Sequence, residues 1–262
     1  MSCGRQVPRL RKVHALTAAE LTDPYDLVVV AVKAGALHSA IDNVAPAVAE
    51  HTRILPLLNG IRHIQTLRDR FGQRAVLGGV GIVSTQVDVE GRIVVLAPAA
   101  HISYGEIDGS HTPILDRIAG EFSAAGIDHT ISSTIEQEMW EKWFFMAAGG
   151  AATVLLGGPV GRIVAEDGGS ATITDIVDET AAILERSGHP VRPEAMSLVT
   201  TMLTAAGSPF TTSLYRDFVA GRGTEVETVL GDLLTIATRH QARSPLLRAA
   251  AVRLRVHATT NA

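Results

Sequence analysis

Lys142 stands between two tryptophans and two phenylalanines in EMWEKWFF, residues 138–145. A cation in that setting has two physical explanations. Its aliphatic stem can lie along apolar surface with the ammonium in water. Alternatively the ammonium is held partly out of water, where its pKa falls toward neutrality and it becomes a usable proton donor. An ammonium so held can stabilise a developing alkoxide and then protonate it. Two further polar residues have a suggestive placement. Lys33 follows the β-branched run LVVVAV at Leu27–Val32, and Asn59 ends the next apolar run, RILPLLN. Ligands of open α/β sheets bind at the carboxyl ends of the strands, so these two residues point toward one crevice. Taken singly, Lys33 reads as a solvated strand end and Asn59-Gly60 as a turn.

The elements that would position these residues fall into two halves. LVVVAV suits a strand buried on both faces of a parallel sheet, and HSAIDNVAPAVAEH and IRHIQTLRDRFG have helical spacing, the latter stopping on Gly72. AVLGGVGIVST and GRIVVLAP read as further strands, and HTPILDRIAGEFSAAG as a helix closing on Gly126. Alternation of this length predicts βαβ units. From Ser132 the strand pattern stops. Five helices are expected, in TIEQEMWEKWFFMAA, ATITDIVDETAAILERSG, RPEAMSLVTTMLTAAG, TEVETVLGDLLTIATRH and SPLLRAAAVRLRVHA. Pro193 and Pro245 suit first helical turns, and Thr224 with Glu227 forms a capping-box pattern. The division is therefore an α/β domain over 1–130 and an all-α domain over 131–262.

Bulk properties narrow the classes of function. With 46% hydrophobic and 19% charged residues the chain has globular rather than disordered composition. A net charge of −4 argues against nucleic acid or an anionic membrane as the main partner. The single Cys3 fits a reducing compartment, and no run is apolar enough to span a bilayer, so a cytoplasmic location is expected. Ten histidines show no HExxH or paired spacing, and no metal site is expected.

In DLVVVAVKA, LLNG, VLGGV, EMWEKW and SLYRDFVAGRGTEVE, taken in order with their separations, the chain resembles the ketopantoate reductase (2-dehydropantoate 2-reductase) family from about residue 10 onward. The resemblance implies an incomplete doubly wound, Rossmann-like sheet and a helical domain of the 6-phosphogluconate-dehydrogenase-like type. It implies NADPH-dependent reduction of a 2-keto acid in pantothenate biosynthesis, with Lys142 as general acid. Lys33, Asn59 and Glu225 would hold the cofactor NADP, and Asn59, Lys142 and Ser213 the substrate. Read as residues alone, Glu225 is an acid favoured by the dipole of a helix start, and Ser213 a helix N-terminal residue. A homodimer is compatible with this reading.

The sequence departs from the family in two places. The family opens with a strand, a Gly-rich phosphate turn, a helix and a second strand, and about 60–70 residues of that unit have no counterpart here. The glycines of LGGVGIV fit a tightly packed strand better than a GxGxxG turn. Weak dinucleotide binding is the expectation, and so is an unpaired edge at Leu27–Val32. Such an edge would associate by aggregation or as an edge-to-edge dimer, leaving a protease-resistant helical fragment from about residue 130. Second, three substrate-pocket asparagines of the family are Met146, Gly150 and Val160 here, which argues against ketopantoate itself. The other readings are a non-catalytic remnant that serves as a dimerising or binding module, and a related reductase with a different substrate.

Overall fold

The computed structural model describes residues 12–260 apart from residue 89. Cys3 and the opening MSCGRQVPRLR lie outside them. Strand β1 (Leu27–Val30) is two residues shorter than its apolar run and pairs in parallel with β2 (Arg53–Pro56), Leu27 lying opposite Arg53. Helix α1 (Leu37–Val44) makes the crossover, burying Leu37 and Ile41 one turn apart. Helix α2 (Arg62–Phe71) buries His63, Ile64 and Leu67 and stops at Gly72, whose φ of 89° favours glycine. Val76 then runs beside Ile54 as a third parallel segment.

Strands β3 (Gly78–Val87) and β4 (Ile93–Gly105) form an antiparallel ribbon. Helix α3 (Pro113–Ala124) leads to β5 (His129–Ile131), which lies parallel to β4. Gly79 belongs to the strand as expected, since a Cβ there would sit 2.5 Å from the Pro56 carbonyl oxygen. GRIVVLAP, in contrast, does not end a strand. β4 runs on through AAHISYG, and its ladder pairs Thr85 with Val95 but Val83 with Ala100. The register therefore shifts between Val83 and Thr85, the mark of a bulge or irregularity in the ribbon.

After β5 the described chain is helical: α4 (Ile135–Leu156), α5 (Val160–Val164), α6 (Gly169–Arg186), α7 (Pro193–Leu203), α8 (Ser213–Val219), α9 (Asp232–Arg239) and α10 (Pro245–Thr260). All five expected helices are present, and the short α5 and α8 are additional. Pro193 and Pro245 start theirs. The Thr224–Glu227 capping box does not form. The helix leading into α9 opens with a π turn over Glu227–Gly231, and Glu227 instead takes both arms of Arg255 at 2.7 Å. A charge-assisted fork outcompetes a single backbone N–H. The molecule is thus a Rossmann-like α/β domain followed by a helical domain.

Helix α4 belongs to both cores. Its first turns place Ile135 and Met139 among Val30, Leu37, Ile54 and Leu67 of the α/β domain. Beyond them Trp140, Trp143, Phe144 and the small residues Ala147–Ala152 pack with α6 and α10. A fragment starting near residue 130 would keep the helical core but bare Ile135 and Met139.

Among the described residues β1 pairs only with β2, and Val29 is 44% exposed, so the strand is not buried on both faces. A flat apolar edge of this kind invites pairing between chains. Val29→Lys is expected to shift the protein toward monomer in size-exclusion chromatography. An unchanged elution profile across protein concentration would rule out self-association through this edge. No helix among the described residues is long and apolar enough to cross a membrane.

Candidate active site

A cavity of about 570 Å³ opens between the carboxyl ends of β1 and β2 and the segment entering the π turn. Lys33, Asn59, Arg62, His63, Glu225 and Thr228 line it. Gly60 lets the two sides approach: its φ is 74°, and a Cβ would meet Thr228 Cγ2 at 3.0 Å and the Thr228 carbonyl oxygen at 3.1 Å. The Asn59-Gly60 pair is thus a turn and a crevice wall at once.

Glu225 spans the crevice. One carboxylate oxygen accepts the Ala34 N–H at 3.2 Å and the other accepts from Asn59 Nδ2 at 3.0 Å. A residue that could serve only its own helix start therefore binds the facing domain, leaving a lone pair on each oxygen for a ligand hydroxyl. Lys33 lies at the exposed rim, its Nζ 3.2 Å from Asp217, which also takes Arg222 at 2.8 Å. Arg62 pairs with Asp232 at 3.2 Å on the other rim. Burial raises the Asp232 pKa, against the pull of Arg62.

Lys142 is half-buried on α4. Its neighbour Trp143 anchors that turn by donating Nε1–H to the Val229 carbonyl at 2.9 Å. The adjacent Glu141 is held by Arg192 at 2.6 and 2.8 Å and so is not the partner of Lys142. Among the described residues the Lys142 ammonium makes no hydrogen bond or ion pair. Burial lowers its pKa, and the Glu225 carboxylate opposes that fall. The lysine in the aromatic run is therefore desolvated rather than simply laid along the surface.

The remaining expected positions lie elsewhere. Ser213 is the exposed first residue of α8, outside the cavity lining, and Thr212 caps that helix by accepting the Tyr215 N–H at 3.2 Å. Met146 is half-buried against the helical core and Val160 is fully inside it. A Cβ at Gly150 would lie 3.0 Å from Leu214, which occupies the space a longer side chain would need.

His63 was not singled out by residue type, yet it lies in the cavity wall and is 4% exposed. The available signal was a histidine on the apolar stripe with Ile64 and Leu67, just past a strand-end asparagine. Burial, and next the charge of Lys142, lower its pKa to about 4. The unfolded chain takes up this proton near the ordinary imidazole value of 6.5 while the folded one resists it, so acid favours unfolding. Stability contributed by neutral His63 is full above pH 6.5 and is lost as pH falls toward 4, by on the order of 3 kcal/mol. Chemical denaturation of wild type and His63→Gln at several pH values in that window checks this. The variant should lose less stability than wild type.

The comparisons with known proteins agree with this geometry. The family model described as ketopantoate reductase PanE/ApbA matches residues 2–109, and its C-terminal counterpart matches residues 134–258. An uncharacterised oxidoreductase of Bacillus subtilis (strain 168) is 29% identical over 242 residues, covering 92% of this chain and 80% of that protein. A 2-dehydropantoate 2-reductase of Mesorhizobium japonicum is 26% identical, covering 83% of this chain and 72% of its own. A solved D-mandelate dehydrogenase with NADH and anilino(oxo)acetate superposes with a TM-score of 0.81 at 15% identity, covering 93% of this chain and 80% of that one. With both of its domains matched in order, the chain belongs to the ketopantoate reductase family of oxidoreductases.

Proposed function

We propose that the protein reduces a 2-keto acid with NADPH, Lys142 acting as general acid. The observation that carries this reading is a desolvated, unpaired lysine ammonium beside a crevice lined by Asn59 and Glu225. The family and the fold relative that binds NADH support a nicotinamide dinucleotide. Phosphorylated NADP is the form the resemblance implies. The residues present fit its nicotinamide-riboside end: Glu225 would accept ribose hydroxyls, and Asn59 and Lys33 line the same crevice. Among the described residues no Gly-rich strand–turn–helix stands ready to cradle a pyrophosphate.

When bound, the cofactor supplies a hydride to the carbonyl carbon. The chain's part is to take care of the oxygen. The Lys142 ammonium stabilises the developing alkoxide and gives it the proton. Asn59 donates a hydrogen bond to the same substrate, and its bond to Glu225 fixes the amide's orientation. Ser213 on α8 is the remaining substrate contact the resemblance implies. Met146, Gly150 and Val160 offer no hydrogen bond, so the favoured substrate carries fewer polar groups than ketopantoate.

The test is dinucleotide oxidation by the purified protein, followed by absorbance with NADPH or NADH against a panel of 2-keto acids that includes 2-dehydropantoate. Activity on apolar 2-keto acids is expected to exceed that on 2-dehydropantoate. The general acid works only when protonated, so kcat should fall as pH rises through the lysine pKa. Burial places that fall below the ordinary lysine value of 10.5. Dinucleotide binding without oxidation by any 2-keto acid would overturn the reading.

A further inference from the structure

His63 is difficult to explain as a mere part of the wall. It sits on α2 with Ile64 and Leu67, 4% exposed, and neither ring nitrogen has a hydrogen-bond partner. Buried polar side-chain atoms are bonded in the large majority of cases. A leucine would fill this volume without stranding two polar atoms. The nearest polar groups indicate what the ring is for. The Asn59 backbone carbonyl lies close enough to favour a ring N–H, although it falls short of full bonding geometry. The Lys142 charge lies close enough to disfavour a second ring proton. Together these select one neutral tautomer, with N–H toward Asn59 and a lone pair left over.

Resting on the reading of Lys142 as general acid, we infer that His63 is its positioning residue: the neutral imidazole, oriented by the Asn59 carbonyl, accepts a hydrogen bond from the Lys142 ammonium as the crevice closes on substrate, and so aims the lysine's remaining N–H groups at the substrate oxygen. The chain of donors runs from lysine to histidine to the Asn59 backbone, while the Asn59 side chain is held by Glu225. One strand end thereby orients both the amide and the ammonium. No proton is transferred to His63, which stays neutral throughout. The other titratable groups about the crevice are Glu225 ahead of the π turn, Glu227 with Arg255, His38, Lys33 with Asp217, and Arg62 with Asp232. On α4 itself, Glu138 is bonded by Ser132 and Glu141 by Arg192.

The test compares His63→Leu, His63→Gln and Lys142→Ala in full-length protein, with kcat, KM and the pH profile of kcat. Removing an acceptor from the charged lysine should lower kcat about tenfold and leave KM within about twofold. It should also move the alkaline fall of kcat to lower pH, because the ammonium loses a bond that favours it. Gln, which can still accept, should recover much of the loss. If His63→Leu does not fold, His63→Met replaces it and the same three changes are required. A raised KM with unchanged kcat would make His63 a direct substrate contact and overturn the proposal. An unmoved alkaline limb would reduce it to packing and also overturn it. If instead Lys142→Ala keeps its kcat, it is the general-acid reading that fails.

Discussion

Lys142→Ala is expected to lower kcat by roughly 10²-fold or more, the usual scale for losing a general acid. The lysine sits in the middle of a helix that is anchored in two cores, and alanine is a good helix former, so the fold should persist. The loss should therefore appear in kcat, with the melting temperature close to that of wild type. The residual rate should also lose the alkaline fall that burial of the ammonium produces. A variant that keeps kcat would remove Lys142 from the reaction, and with it the chemical reason for a cation in EMWEKWFF.

Trp143→Ala should give the largest change in stability, about 3–5 kcal/mol, the range for deleting a buried large aromatic. Trp143 is 2% exposed in the helical core, and its indole N–H is bonded to the Val229 carbonyl in the π turn. Truncation leaves a cavity and removes that hydrogen bond at once. Trp143→Phe keeps most of the volume and loses the bond, so it should cost about 1–2 kcal/mol. Guanidinium denaturation of the two variants separates packing from hydrogen bonding. A loss below about 1 kcal/mol for the alanine variant would show that the core closes over the gap.

The legible parts of the fold were those set by local pattern. β1 and β2 are short β-branched or apolar runs, α2 stops on a glycine, and α7 and α10 begin on prolines. What stayed hidden depends on partners distant in sequence. β4 continues beyond GRIVVLAP because β3 stays beside it across a register shift, and no local signal announces such a shift. β5 is three residues long and exists only because β4 is beside it. Glu227 fits a capping box until Arg255, on another helix, offers a stronger bond. In the candidate site, Lys33, Asn59 and Lys142 were recognisable as polar residues at strand ends or among rings. The bond between Asn59 and Glu225 was not, because it crosses from one domain to the other. His63 escaped notice because histidine on an apolar stripe is usually satisfied by its surroundings, and here it is not.

The double anchorage of α4 has a mechanical meaning. Ile135 and Met139 fix one end of the helix in the α/β core, and Trp143 and Phe144 fix the next turn in the helical core. Lys142 falls at the changeover. If the domains tilt, the axis of rotation passes near this point, like the pin of a pair of tongs, and the lysine travels least. Lys33 with Asp217 and Arg62 with Asp232 are at the jaws and travel most. Those rim pairs have one exposed partner each and are worth about 0–1 kcal/mol apiece, so they can part and re-form cheaply. Glu225 and Asn59 would lie on opposite sides of such a tilt, so their bond would have to part for the crevice to widen. A tilt of that kind would widen the crevice while Lys142 stays almost still.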